Sequence, residues 1–230
     1  VVLGAGLVSL GAAFLLDKKY EMTSDLYPVN VCYNVVLAVE RNARTLDYEE
    51  TSKDFTFNAA ATHPAEDREI YVLVVGETSR ALNWSLYGYD RETNPKLSEV
   101  SGLTAFTNVL TQSNTTHKSV PILMSAVSAE NFDSIYHQKG IITAFKEAGF
   151  KTAFFSNQRY NNSFIDFFGK EADHYDFIKE DSLTAGQNLS DDYLLALVQE
   201  ELAKGNRKQF IVLHTYGSHF NYRERYPAEA

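Results

Sequence analysis

"REIYVLVVGE", residues 68 to 77, decides how the chain is read. After a charged start it passes through Ile70, Tyr71, Val72, Leu73, Val74 and Val75 without a polar interruption, then breaks at Gly76 and Glu77. A strand with one wet face alternates polar and apolar positions, so a continuous run predicts a strand buried on both faces. A second such run, "KQFIVLHTYGSHF" at 208–220, ends in His214, Gly217 and His219. Between the two lie "LTAFTNVL" (103–110) and "KTAFFSN" (151–157), which are strand-like. "SVPILMSAV" (119–127), "KGIITAFKEAGF" (139–150) and "SDDYLLALVQEELAKG" (190–205) are helix-like. The last carries its own boundaries, Ser190 before two acids and Gly205 after Lys204. Strands alternating with helices predict an α/β fold: a largely parallel sheet with helices on both faces. Ligands of such sheets bind beyond the carboxyl ends of the strands.

Ahead of this region the sequence changes character. "VVLGAGLVSLGAAFLLDKKY" (1–20) is uncharged until Asp17, Lys18 and Lys19. It falls slightly short of the ~20 residues that span a bilayer. Nothing basic precedes it, as a signal peptide would require, so it reads as the end of a transmembrane helix, with a buried core helix as the alternative. "TSDLYPVNVCYNVVLAVERNARTL" (23–46) reads as an amphipathic helix, with Ser24 or Asp25 as cap and Pro28 in the first turn. Val31, Val35, Leu37 and Val39 supply its apolar face. Residues 47–67 are polar and suggest a linker. The expected division is a membrane helix end at 1–20, linker helix and linker at 21–66, and a catalytic domain at 67–230.

The totals exclude some classes of function. A chain of 230 residues can bury a substantial core, but its net charge of −9 and lack of a basic stripe disfavour nucleic acid as a partner. The single cysteine, Cys32, excludes an intramolecular disulfide and a Cys-rich structural zinc site.

Three polar clusters fall at the expected ligand edge: Glu77, the stretch Thr115–Lys118, and His214 with His219. A carboxylate, a hydroxyl and two histidines brought together by strand ends make a hard-metal or zinc site. Each also has an ordinary reading, Glu77 and Thr116 as helix caps and each histidine as a packed or exposed side chain. Asn157, Arg159 and Asn161 follow another strand end and are candidates for substrate contact, as is Lys118 through its charge. Arg80 and His117 have a similar standing.

The motifs narrow the choice. "VLVVGETSRALNWSLYGYDRETNP" (72–95), "NTTHKSVPILMS" (114–125) and "LHTYGSHFNYRERYP" (213–227) occur in that order. Together they resemble the membrane-anchored phosphoethanolamine transferases of the alkaline phosphatase and sulfatase-like superfamily. The resemblance runs from about residue 70 onward. It implies that Glu77 is a metal ligand. It also implies that Thr116, three residues before Ser119 of "SVP", is both nucleophile and ligand in preference to Thr115. His219 of the "GxH" element would lie near the phosphate or a second metal, with His214 in the same pocket. The family's other ligands come from an Asp-His pair in a "DHGE" motif, and this sequence has none. The expectation is therefore that 67–230 is the N-terminal portion of a truncated domain.

The implied cofactor is zinc, with manganese as the alternative. The implied reaction moves phosphoethanolamine from phosphatidylethanolamine, through a phosphothreonine, to lipid A or core oligosaccharide of lipopolysaccharide. The enzyme would sit in the bacterial inner membrane through its N-terminal helices, with the catalytic domain in the periplasm. Two rivals remain: a glycerol-phosphate polymerase of the lipoteichoic acid synthase type, and a non-catalytic envelope binding module. A formylglycine sulfatase is disfavoured, because the only cysteine lies far upstream at Cys32.

Overall fold

A computed structural model describes residues 26–179 and 189–220, Tyr222, and Gly4, Gly6, Val8, Ser9, Gly11, Ala12 and Leu15. Most of the expected membrane helix, the caps Ser24 and Asp25, and residues 180–188 and 223–230 lie outside this set. Among the described residues no helix is long and apolar enough to cross a membrane. The chain divides into two compact units, Val1–Asp54 and Phe55–Ala230.

The first unit holds α1 (Val29–Leu46), with Pro28 at its N-cap, and the short α2 (Tyr48–Thr51). On the face expected to be apolar, Leu37 is half-buried while Val31, Val35 and Val39 are exposed.

In the second unit one sheet contains β1 (Glu69–Val75), β2 (Lys151–Ser156), β3 (His174–Phe177) and β4 (Lys208–His214). All pairings are parallel, in the order β1-β4-β2-β3. The helices of this unit are α3 (Pro95–Ser98), α4 (Thr116–Leu123), α5 (Ile141–Glu147), α6 (Phe164–Gly169) and α7 (Tyr193–Ala203). Side chains alternate across a strand, so the strand register assigns the two faces. Ala153 and Phe155 of β2 pair with Ile211 and Leu213 of β4, and α7 covers all four with Leu194, Leu197 and Val198. On the opposite face Phe145 of α5 stacks on Phe210 with ring centroids 3.8 Å apart. There α6 lies so close to Phe154 that a Cβ on Gly169 would stand 2.6 Å from the ring. Phe154, Phe155, Ile211 and Val212 are fully buried. Burial of each stabilises the fold by about 1.5–3 kcal/mol.

The α/β fold with helices on both faces is as the sequence predicts, but three elements differ. Among the described residues β1 is an edge strand rather than a strand buried on both faces. Val72 and Val74 share the α7 face, yet among the described residues α7 packs on β4 and β2, and they remain 44% and 58% exposed. "LTAFTNVL" forms no strand: among the described residues it has no strand to pair with, and Val109 and Leu110 are exposed. β3 and α6 have no counterpart in the expected elements. β3 is only four residues long, with its first two exposed.

The polar stretch read as linker belongs partly to each unit. From Phe55 onward it lies on α5, where the Glu147 carboxylate accepts bonds from Thr56 Oγ1, Phe57 N and Ala59 N at 2.9–3.0 Å. At the amino end of the sheet Lys208 pairs with Glu69 and holds its carboxyl down at about 2. At the carboxyl end Val75, His214 and Ser156 stand level in the register, which brings three strand exits to one edge.

Candidate active site

Three segments leaving that edge surround a cavity of about 390 Å3. Its lining includes Glu77, Thr116, Arg159, Asn161, His214 and His219.

Glu77 follows β1 by two residues and is almost buried. Its Oε2 accepts the Thr116 hydroxyl at 2.8 Å, and its Oε1 accepts the Thr78 hydroxyl at 2.7 Å. Thr78 reaches that position with φ at +50°, a left-handed conformation rare for a β-branched residue. Such a conformation costs on the order of 1–3 kcal/mol and persists only where its surroundings enforce it. The backbone of Glu77 is held as well: Ser218 N donates to its carbonyl at 3.1 Å.

Thr116 is the first residue of α4, after Thr115 at the N-cap. Thr115 makes no side-chain cap bond; its hydroxyl lies 3.3 Å from Ser113 Oγ. The start of a helix, with its unpaired N–H groups and positive dipole end, favours an anion beside Thr116.

His214, the last residue of β4, is 1% exposed. Its Nδ1 lies 3.3 Å from Ser156 Oγ, and its buried Nε2 has no partner among the described residues. Burial pushes its pKa down to about 4, against the pull of the Glu77 and Asp191 carboxylates. His219 also has a buried, unpartnered Nδ1, and its ring stacks on Tyr216 at 5.0 Å. Asn161 lines the cavity while its N–H donates to the buried Asp166 at 2.8 Å.

The structure therefore brings Glu77, Thr116, His214, His219 and Asn161 to one cavity. Lys118 does not join them. It stands two residues after Thr116, about 200° around the helix, so it points away from the cavity. Its ammonium lies 6.0 Å from the Phe132 ring centroid, in solvent. Arg159 and His117 line the cavity, whereas Arg80 is not in its lining and Asn157 is buried against Leu189 and Asp191. Thr78, Ser156 and Asp191 went unrecognised in the sequence. Ser156 had a signal, its place at a strand end level with His214; Thr78 and Asp191 depend on backbone conformation and long-range contacts.

A carboxylate and a hydroxyl in contact, with two imidazoles lining the same cavity, are donors suited to zinc. They form a partial set, since no group of three or more His, Cys, Asp or Glu able to hold a metal occurs among the described residues.

Residues 69–230 match the family model described as Sulfatase. The chain belongs to the sulfatase family. Within reach of that family, it is 30% identical over 172 residues to phosphoethanolamine transferase CptA of Salmonella typhimurium, covering 72% of this chain and 30% of that protein. The fold matches the C-terminal periplasmic domain of EptC from Escherichia coli, solved in complex with Zn. That match has a TM-score of 0.66 and 29% identity, over 74% of this chain and 50% of that one. It also matches the integral membrane lipooligosaccharide phosphoethanolamine transferase A of Neisseria meningitidis, with a TM-score of 0.68 and 26% identity, over 97% of this chain and 43% of that one. The chain thus spans less than a third of the curated relative's length and half of the solved periplasmic domain.

Proposed function

We propose that this chain carries the nucleophile half of a zinc-dependent phosphoethanolamine transferase active site. The observation that carries this reading is the 2.8 Å bond from Thr116 Oγ1 to Glu77 Oε2, at a helix start beyond the strand ends. The names of the relatives and the Zn-bound periplasmic domain support it.

Glu77 and Thr116 would hold the zinc, which when bound favours the threonine alkoxide and neutralises charge on the phosphoryl oxygens. Glu77 engages the hydroxyl proton of Thr116, so the Thr116 oxygen presents lone pairs to an incoming phosphorus. Attack forms a bond from Thr116 Oγ1 to phosphorus. The bond to the glycerol oxygen breaks, and diacylglycerol leaves with a proton. An acceptor hydroxyl or phosphate oxygen then attacks the phosphothreonine, and Thr116 recovers its hydroxyl. The α4 start steadies the phosphoryl oxygens. His219, His214 and Asn161, which line the cavity, would meet the phosphate or the acceptor.

The donor is phosphatidylethanolamine and the acceptor lipid A or core oligosaccharide of lipopolysaccharide. A lipid donor accounts for attachment to the inner membrane through N-terminal helices, with the sulfatase-family unit in the periplasm. The test is to incubate the full-length enzyme with fluorescent phosphatidylethanolamine and follow diacylglycerol. Thr116→Ala is expected to abolish release, and release that persists in that variant would sink the nucleophile assignment.

A further inference from the structure

Asp191 lies just before α7, on a segment that supplies no lining to the cavity. Its carboxylate nevertheless gathers three donors from the cavity's two supporting strands. Oδ1 accepts Asn157 Nδ2 and Tyr216 N, both at 2.8 Å, and Oδ2 accepts Gly217 N at 2.9 Å. Asn157 donates again to Leu189 O at 3.0 Å, which fastens the same segment. One side chain thus ties the residue after β2 to the turn after β4.

That turn bears directly on Glu77. Gly217 sits at φ +50°, and a Cβ there would stand 2.6 Å from the Glu77 carbonyl oxygen. The next residue, Ser218, donates its N–H to that same oxygen. On the other side Lys179 Nζ lies 3.2 Å from the centroid of the Tyr216 ring, on which His219 stacks. A shift of the 216–217 amides would therefore carry both Glu77 and His219 with it.

The ordinary reading is that an acid before a helix serves the helix. Here the N-cap is Asp192, which makes no side-chain cap bond, and the nearby N–H of Asp192 lies 3.4 Å from Ser190 Oγ. Both Asp191 oxygens are directed at Asn157 and the turn instead. We infer that Asp191 is a positioning residue that fixes the 215–219 turn, and through it Glu77 and His219, for metal binding and transfer. This rests on the reading of Glu77 as metal ligand and Thr116 as nucleophile.

The test uses the full-length enzyme and Asp191→Asn, which sets an amide N–H against the Gly217 N–H. In the metal-free protein, hydrogen exchange across 214–220 is expected to speed up. Zinc affinity and kcat are expected to fall, by as much as the roughly 10–100-fold that follows loss of a direct partner of a metal ligand. The KM for phosphatidylethanolamine should stay unchanged. Glu171→Gln is the control, because Glu171 likewise accepts a backbone N–H, from Gly140, and a hydroxyl, from Thr143, but lies outside the cavity lining. It should leave exchange at 214–220, zinc affinity and kcat unchanged. Should Asp191→Asn not fold, Asp191→Glu keeps two acceptor oxygens and is expected to show the same changes at smaller size.

Unchanged exchange at 214–220 overturns the role of Asp191, since that readout needs neither metal nor substrate. Equal losses of zinc affinity in Glu171→Gln also overturn it, by reducing Asp191 to general stability. Zinc binding that Glu77→Gln leaves untouched would instead overturn the site reading, and with it the functional half of this inference.

Discussion

Both oxygens of Glu77 accept a threonine hydroxyl, and its carbonyl lies against a glycine that leaves no room for a methyl group. Gly217→Ala should therefore do two kinds of damage. The positive φ alone costs on the order of 1–3 kcal/mol, and the clash with the Glu77 carbonyl adds to it. The urea midpoint should fall, and zinc affinity should fall with it. His214 gives a pH signature. Its folded pKa of about 4 lies below its ordinary 6.5, so between these values the unfolded chain binds a proton that the folded one refuses. Its contribution is complete above pH 6.5 and is lost as pH falls toward 4, with a size on the order of 3 kcal/mol. Urea titrations of the metal-free protein should show this slope, and His214→Gln should flatten it. Glu77, the stretch Thr115–Lys118, His214 and His219 were legible as candidates because each stands at or near the end of an apolar run or the start of a helix, while the choice of Thr116 over Thr115 came from the family resemblance. Thr78 and Asp191 were not, because one acts through an unusual φ and the other across chain segments distant in sequence.

At the scale of elements, the buried runs "KTAFFSN" and "KQFIVLHTYGSHF" announced β2 and β4, since both strands are covered on two faces. The equally apolar β1 is an edge strand, because apolar content reports a face that wants cover and not which neighbour supplies it. "LTAFTNVL" misled for the same reason: strand propensity needs a pairing partner. β3 and α6 were missed because each is short and their burial comes from tertiary contacts. The closeness of α6 to β2 is testable through Gly169, whose missing Cβ leaves space for the fully buried Phe154 ring. Gly169→Ala should destabilise the protein by about 1–3 kcal/mol through overpacking, seen as a lower urea midpoint with an unchanged m-value.

Across the whole molecule, the parallel sheet does one thing for function: it sets Val75, His214 and Ser156 level, so the segments leaving these three residues share an edge. Most of the division into strands and helices, and the edge where the candidate site lies, could be read from periodicity and strand ends. The strand order could not, because β4 enters between β1 and β2 from the far end of the chain. The central claim is that Thr116 carries the transferred group. It is tested most directly by incubating the full-length enzyme with phosphatidylethanolamine, quenching, and sequencing the 113–124 region by tandem mass spectrometry. A phosphoethanolamine adduct on Thr116, absent from Thr116→Ala and lost on adding acceptor, is the expected result; an unmodified Thr116 during active turnover, or an adduct on Thr115 instead, would contradict the account.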